Sequence, residues 1–462
     1  MTKSIVWFRN DLRIKDNSAL YNAVKSGEIL AIYIYDNNDY IGQASKYWLH
    51  NSLKSLNENL NNKLNIYSGE PLQILNNLII KFNITNIYWN RCYDPYTIKR
   101  DSEIKTKLTE QKIQVKSYNG TLLYEPWEIK KDDGDFYKIF TPFYKRCITH
   151  FLRPTPPLKN QIPKKNILDN DSLNINDLKL LPKVNWYKKF NVIWDISEKS
   201  AHKKLDDFIK NKLSSYKNGR DFPALNNISE LSPYLHFGQI SPQQIFHKID
   251  NLRKNEQTEH FIRELMWREF SYYQLYHQPK ITNQNLRPQF DNFDWVNNDK
   301  LLQSWQQGKT GIPIVDAGMR QLWQTGYMHN RVRMIVGSFL VKNLRLHWKY
   351  GAEWFYDKLL DADIASNSLS WQWVAGTGID SSPYFRIFNP ITQSQKFDKD
   401  GEYIRKYVPE ISQLPNKYLF EPHTAPDSIL KKCNIKLGET YPIPIVDLKK
   451  SRKKALECFK KL

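Results

Sequence analysis

Ser4-Ile-Val-Trp-Phe-Arg-Asn-Asp-Leu-Arg13 begins with a short β-prone run, Ser4–Phe8, and then breaks into charged and amide residues. Four more such runs follow at Leu30–Tyr35, Leu64–Tyr67, Asn86–Asn90 and Gln114–Ser117. Between them lie stretches with helical spacing, at Ser18–Ser26, Ser45–Asn59, Pro71–Phe82 and Lys99–Gln111. That alternation implies a parallel, doubly wound sheet. No GxGxxG follows the first strand, so the dinucleotide fingerprint is missing, while the carboxyl edge of the sheet stays open as a ligand position.

Outward from this block the pattern changes. From Phe151 to Trp194 the chain is rich in Pro, Asn, Asp and Lys, as in Arg153-Pro-Thr-Pro-Pro157, and holds no sustained period. It reads as an interdomain connector. From Glu198 to Pro390 helical spacing dominates, at Glu198–Lys212, Ser241–Asn251, Glu256–His277, Pro313–Thr325, His329–Asn343 and Ala352–Leu360. A Lys-rich tail follows Lys396, by default a solvated face. The expected division is an α/β domain over residues 1–130, a linker over 131–197 and a larger all-α domain over 198–462.

Composition narrows the function classes. At 462 residues the chain is too long for one ordinary core, and 40% hydrophobic with 25% charged residues fits a folded protein. A net charge of +20 favours a polyanionic partner, although an AT-rich genome would also enrich Lys, Asn and Ile. Cys92, Cys147, Cys433 and Cys458 form no CxxC pair, which argues against a zinc site or disulfide framework and suits a reducing compartment. The N-terminus has no signal-like apolar run, and no stretch approaches the roughly 20 apolar residues of a membrane span. A cytoplasmic protein is expected. Aromatic residues reach 14%, with 14 Trp; singly these are core residues, and they gain interest where they cluster among polar ones.

Three runs carry candidate chemistry. In Phe261–Phe270, Glu264 shares a helical face with Trp267 and Arg268; this is either an amphipathic helix with a surface pair, or a stacking wall beside an acceptor for a base edge. In Trp323–Met334, Asn330 lies one turn from Met334, and Arg331 and Arg333 serve either ion pairs or phosphate clamping. In Leu360–Gly378, Asp361 and Asp363 precede Asn367, Trp371 and Trp373. Asp-x-Asp could bind a metal, but the Gly and Glu of a calcium loop do not follow; fixing a sugar hydroxyl or a ring N–H is equally reasonable.

Taken in order, Trp7-Phe8-Arg9-Asn10-Asp11-Leu12-Arg13, Glu264–Phe270, Gly308-Lys-Thr-Gly-Ile-Pro-Ile-Val-Asp316, Met328–Met334, Asp361–Asn389 and Tyr441-Pro-Ile-Pro-Ile-Val-Asp447 resemble the photolyase/cryptochrome family nearly end to end. The chain is most similar to its class I cyclobutane pyrimidine dimer DNA photolyases. The resemblance implies an α/β antenna domain and a helical domain holding FAD. Flavin contacts would fall on Tyr216, the turn Ile228, Ser229, Glu230, Leu231 and Ser232, then Phe261, Arg268, Asp361, Ala362 and Asp363, with Asn367 facing flavin N5. Glu264, Trp267, Asn330, Met334 and Trp373 match the cyclobutane-dimer cavity; photolyases for (6-4) products carry two His where Asn330 and Met334 stand. Arg220, Arg331 and Gln393, with Arg268, match DNA-contacting positions, and Trp371, Trp348 and Trp295 match the chain that photoreduces FAD. The implied partner is UV-damaged DNA, bound by a monomer in the cytoplasm with no membrane, metal or obligate protein partner.

Some positions depart from the family pattern. Glu230 replaces a basic residue of the phosphate turn, so one counter-charge is lost, and Phe261 and Tyr327 stand where Trp is common. Tyr96 and Thr97 occupy positions that are Asn and Glu in some folate-binding relatives, so the second chromophore is open between methenyltetrahydrofolate, the first choice, a deazaflavin and none. The competing readings are a cryptochrome-type photoreceptor, a (6-4) photolyase, and a non-enzymatic basic nucleic-acid-binding protein using its tryptophans for stacking.

Overall fold

The computed structural model describes residues 2–150, 154–159, 163, 165–380 and 385–462. Residues 151–153, 160–162 and 164 of the expected connector, and 381–384 of the Asp361–Asn389 stretch, lie outside the described residues. The chain makes two compact units: one of residues 1–214, 229–279 and 361–365, the other of 215–228, 280–360 and 366–462.

The first unit is built on a sheet of five parallel strands, Thr2–Phe8 (β1), Gly27–Tyr35 (β2), Asn65–Ser68 (β3), Asn86–Asn90 (β4) and Gln114–Tyr118 (β5). Their order is β3-β2-β1-β4-β5, so the winding reverses at β1, as a doubly wound sheet requires. β1 sits in the centre because both of its faces are apolar: Ile5 pairs in register with Leu30 on one side and Ile87 on the other, and all three are fully buried. β5 is an edge strand, with Gln114 and Lys116 exposed. Gly27 is required where β2 begins, since a Cβ there would lie 2.4 Å from Thr2 O. The helix expected at Lys99 begins earlier, as Pro95–Glu110, because Asp94 caps Thr97 N and Pro95 takes the first helical position.

The Trp7–Arg13 motif is a structural hub of this unit. The fully buried Arg13 guanidinium donates to Lys15 O, Asp16 O, Gly120 O and Gly238 O, and Glu198 accepts from Ile14 N and Lys15 N. The expected linker contains a helix that sequence periodicity did not reveal, Phe140–His150. Pro142 reads as a breaker but falls in the first turn, where no intrahelical N–H is lost. Phe140, Phe143 and Cys147 form its buried stripe.

In the second unit two sequence-distant motifs meet. Asp316 accepts from Thr310 N, Thr310 Oγ1, Gly311 N and Tyr441 Oη, and Ile445 N donates to Thr310 O. The expected helix His329–Asn343 divides into Asn330–Ser338 and a π-helical turn, Phe339–Asn343; the expected Ala352–Leu360 starts a turn earlier, as Trp348–Lys358. Among the described residues no helix is long and apolar enough to cross a membrane.

Candidate functional site

In the first unit the Asp361–Ala365 segment meets the turn before the short helix Ser232–His236 and the helix Glu256–His277. Ser232 Oγ donates to Asp361 Oδ2 at 2.6 Å. Tyr272 Oη donates to Asp363 Oδ2, and His236 Nδ1 lies 3.9 Å from the same oxygen. Burial alone would raise the Asp363 carboxyl, but His236, Arg268 and the Tyr272 hydroxyl outweigh it and hold it well below the usual carboxylate range. Burial and the adjoining Asp363 push the Tyr272 phenol far up, so it stays a donor.

Arg268 donates to Thr121 O at 2.8 Å, lies 3.2 Å from Glu269 and sits over the Tyr272 ring. Glu269 accepts from Leu123 N; burial raises it to about 7, and Arg268 offsets this only in part. The two acids beside one guanidinium are therefore shifted in opposite directions, because Asp363 also has the nearby His236 imidazole and the Tyr272 hydroxyl. His236 and Tyr272 were missed by sequence reasoning, although each follows a named residue by one helical turn, Ser232 and Arg268.

Glu230 adopts a left-handed backbone, φ 50°, and its carboxylate pairs with Lys204 Nζ at 2.6 Å. Lys204 thus neutralises the acid that the turn carries in place of a basic residue, from a helix with no sequence signal for it. Leu231 and Ala362 are buried, and Ser229 is partly so. Phe261 packs on Phe208 with ring centres 4.6 Å apart. Glu264 lies 3.9 Å from His260, and the Trp267 indole stacks on Phe140 at 3.7 Å and 8°. Phe140, from the supposed linker, was not anticipated; Arg263 lies 5.0 Å from its ring.

These residues fit a flavin nucleotide. Acidic acceptors at Asp361 and Asp363 suit sugar hydroxyls or a ring N–H, and Arg268 with the exposed Ser232 suits phosphate and carbonyl oxygens. His236 Nδ1 is buried with no hydrogen-bond partner, a polar atom that such a ligand would satisfy.

In the second unit Tyr216 is buried under the Arg220 guanidinium, 5.4 Å from its ring, and Ile228 is half-buried. Arg331 pairs with Asp221 at 2.8 Å and covers Phe397 at 4.3 Å; Arg333 Nε donates to Met328 O. Asn330 is exposed and Met334, one turn on, is partly buried. His329 between them and the preceding turn is buried, which lowers it to about 4, so it is neutral at ordinary pH. Gln393 lies in the helix Pro390–Phe397, whose first turn Asn389 caps.

Asn367 donates from Nδ2 to Ala352 O at 3.0 Å, leaving Oδ1 as the acceptor it can offer. Trp371 and Trp373, two residues apart on the helix Ile364–Ala375, are about 200° apart around its axis. Trp371 is accordingly buried and Trp373 partly exposed. Trp371 lies on bare backbone at Gly351, where a Cβ would come within 2.1 Å of its ring. One turn away Trp348 donates from Nε1 to Asn285 Oδ1 at 2.7 Å, and Trp295 donates to Phe290 O at 3.1 Å.

Residues 4–161 match the family model described as DNA photolyase, and residues 261–461 match the FAD binding domain of DNA photolyase. The chain is 44% identical over 468 residues to a deoxyribodipyrimidine photo-lyase of Agrobacterium fabrum, covering 98% of this chain and 97% of that protein. It is 35% identical to cryptochrome-1 of Arabidopsis thaliana, covering 99% of this chain and 70% of that one. The crystal structure of a bacterial class III photolyase from Agrobacterium tumefaciens is similar with a TM-score of 0.96 and 44% identity, covering 100% of this chain and 98% of that one. On full-length identity and two matching family models, the chain belongs to the photolyase/cryptochrome family and carries that family's FAD-binding domain.

Proposed function

We propose that this protein repairs cyclobutane pyrimidine dimers in DNA as a light-driven lyase. The observation that carries the reading is 44% identity along nearly the whole chain to a deoxyribodipyrimidine photo-lyase, against 35% for a plant cryptochrome. For the subclass, the relative titled class III, alike over the full chain, is a better guide than the class I expectation. The turn at Met328–Met334 favours the cyclobutane lesion over the (6-4) product. Asn330 and Met334 offer no titrating proton, and buried His329 stays neutral. Splitting a cyclobutane ring needs an electron out and back, with no general acid.

Bound FAD, reduced and excited by light, supplies that electron. The remaining work falls to the chain's own residues. Tyr216, Ile228, Ser229, Glu230, Leu231, Ser232, Phe261, Arg268, Asp361, Ala362 and Asp363 hold the cofactor, with Asn367 Oδ1 accepting at N5. Arg220, Arg331 and Gln393 hold flanking phosphates; Arg331 shares its charge with Asp221 until DNA arrives. Trp267, backed by Phe140, and Trp373 cradle the flipped dimer, a flip that costs a few kcal/mol or less because the lesion is poorly paired. Glu264 accepts from a base edge. Trp371, Trp348 and Trp295 return electrons to an oxidised flavin. Residues 1–130 form the antenna domain, 131–197 the connector and 198–462 the catalytic domain of a cytoplasmic monomer. A second chromophore, methenyltetrahydrofolate before deazaflavin, is proposed with it.

The test is light-dependent repair of cyclobutane and (6-4) lesions side by side, with the bound chromophores extracted and identified. Repair of the first alone is expected. Flavin-loaded protein that repairs neither is a photoreceptor, and protein without flavin is a nucleic-acid binder. Trp267→Ala and Glu264→Ala are expected to weaken repair far more than they lower flavin content; unchanged repair in both would misplace the cavity.

A further inference from the structure

One ring touches both Trp348 and Trp295. The His347 imidazole lies 5.6 Å from the Trp348 ring at 32° and 4.9 Å from the Trp295 ring at 61°. All three rings are pinned. His347 Nδ1 accepts from Lys349 N at 3.2 Å as the N-cap of the helix Trp348–Lys358, while the indole N–H groups are held by Asn285 and Phe290.

We propose that His347 is a positioning residue of the photoreduction chain, coupling Trp348 to Trp295 through its ring. The proposal rests on reading Trp371, Trp348 and Trp295 as that chain. Trp371 gives one electron to the light-excited oxidised flavin; Trp348 refills Trp371, and Trp295 refills Trp348. Each transfer moves one electron inward and one positive hole outward, and breaks no bond. An external thiol then returns one electron to Trp295 and releases its proton to solvent, and the thiyl radical left behind pairs with a second to form a disulfide. His347 stands where the hole makes its last move, from a fully buried indole to a partly exposed one.

Charge supports this role. A cation between the two indoles would repel the hole passing them, most strongly where water is excluded. Burial and Lys349 lower His347 to about 4, with Asp291 opposing, so the ring is neutral at ordinary pH. A helix cap alone would not call for a ring: Asn, Asp and Ser cap at least as well.

That separation gives the test. His347→Asn keeps a neutral capping side chain and removes the ring; His347→Phe keeps a ring and removes the cap. Holoenzyme of both, with Trp348→Phe, is followed by transient absorption of oxidised tryptophan and by accumulation of reduced flavin under blue light with a thiol, with thermal melting alongside. The expected result is a several-fold loss of long-lived tryptophan oxidation in His347→Asn at unchanged melting temperature, and near-normal oxidation in His347→Phe despite a lower one. Loss in Trp348→Phe with none in His347→Asn overturns the role of His347. No loss in Trp348→Phe overturns the chain itself.

Discussion

Around Asp363 the neighbours are a phenol, an imidazole and a guanidinium; around Trp348 they are a second ring, an amide and the helix it begins. Both residues are buried, and both are read as serving the same cofactor, but they are stabilised in opposite ways. A buried carboxylate keeps its charge only when opposite charges and donors replace the lost water. A buried indole needs one acceptor for its N–H and otherwise only contact. The first region is therefore specified by partners and the second by shape. Holding a polar nucleotide needs fixed charges, whereas passing an electron and a hole favours rings with few charges between them.

The sharpest way to break this contrast is to remove the charge from the first region. Asp363→Ala leaves the Tyr272 hydroxyl without its acceptor and Arg268 and His236 without the carboxylate beside them, and removing one partner of a buried charged cluster costs about 3–5 kcal/mol. The expected outcome is a large drop in melting temperature and purification without flavin. Retained flavin with wild-type stability would mean the cluster neither pays nor holds what the geometry implies.

In the second region shape is the target. Gly351→Ala drives a methyl into Trp371, and overpacking of this kind costs about 1–3 kcal/mol. Flavin content should survive while photoreduction slows, since Trp371 must shift. An unchanged near-UV circular dichroism spectrum and unchanged photoreduction would show the packing to be tolerant.

The smallest effect separates the two acids that share Arg268. Glu269 is raised to about 7 in the folded protein, so its contribution to stability is fully present below its ordinary value near 4.5 and is lost as pH rises through 7. Asp363 is lowered, so its contribution is present above the ordinary carboxylate range and is lost only as the solution becomes strongly acidic. Glu269→Gln should flatten the fall in stability between about pH 4.5 and 7, read by urea unfolding at several pH values. An unaltered slope would assign that titration elsewhere.

Much of the fold was legible because the period of apolar residues changes from strand to helix to connector. Asn86–Asn90, Ser18–Ser26, Pro71–Phe82, Glu256–His277 and Pro313–Thr325 stand as read, bounded by capping residues and prolines that act locally. Helix Phe140–His150 was hidden because Pro142 imitates a breaker, and the π-helical turn at Phe339–Asn343 because all five of its residues are buried, so no amphipathic period marks the change. Of the candidate site, Asp361, Asp363, Asn367, Trp371 and Trp373 were visible as an odd cluster within a few residues of chain.

What the sequence by itself determined is therefore local: the parallel sheet, the helical region and the residue types that bear chemistry, all set by propensity, periodicity and short spacing. Only the tertiary structure decided the partners. Lys204 answers Glu230 from 26 residues away, Phe140 backs Trp267, Tyr441 closes on Asp316, and Asn285 holds Trp348. Each of these depends on where a distant segment packs, which no local pattern encodes. The opposite shifts of Asp363 and Glu269 were likewise set by burial and neighbours, because a carboxylate's ionisation is a property of its surroundings.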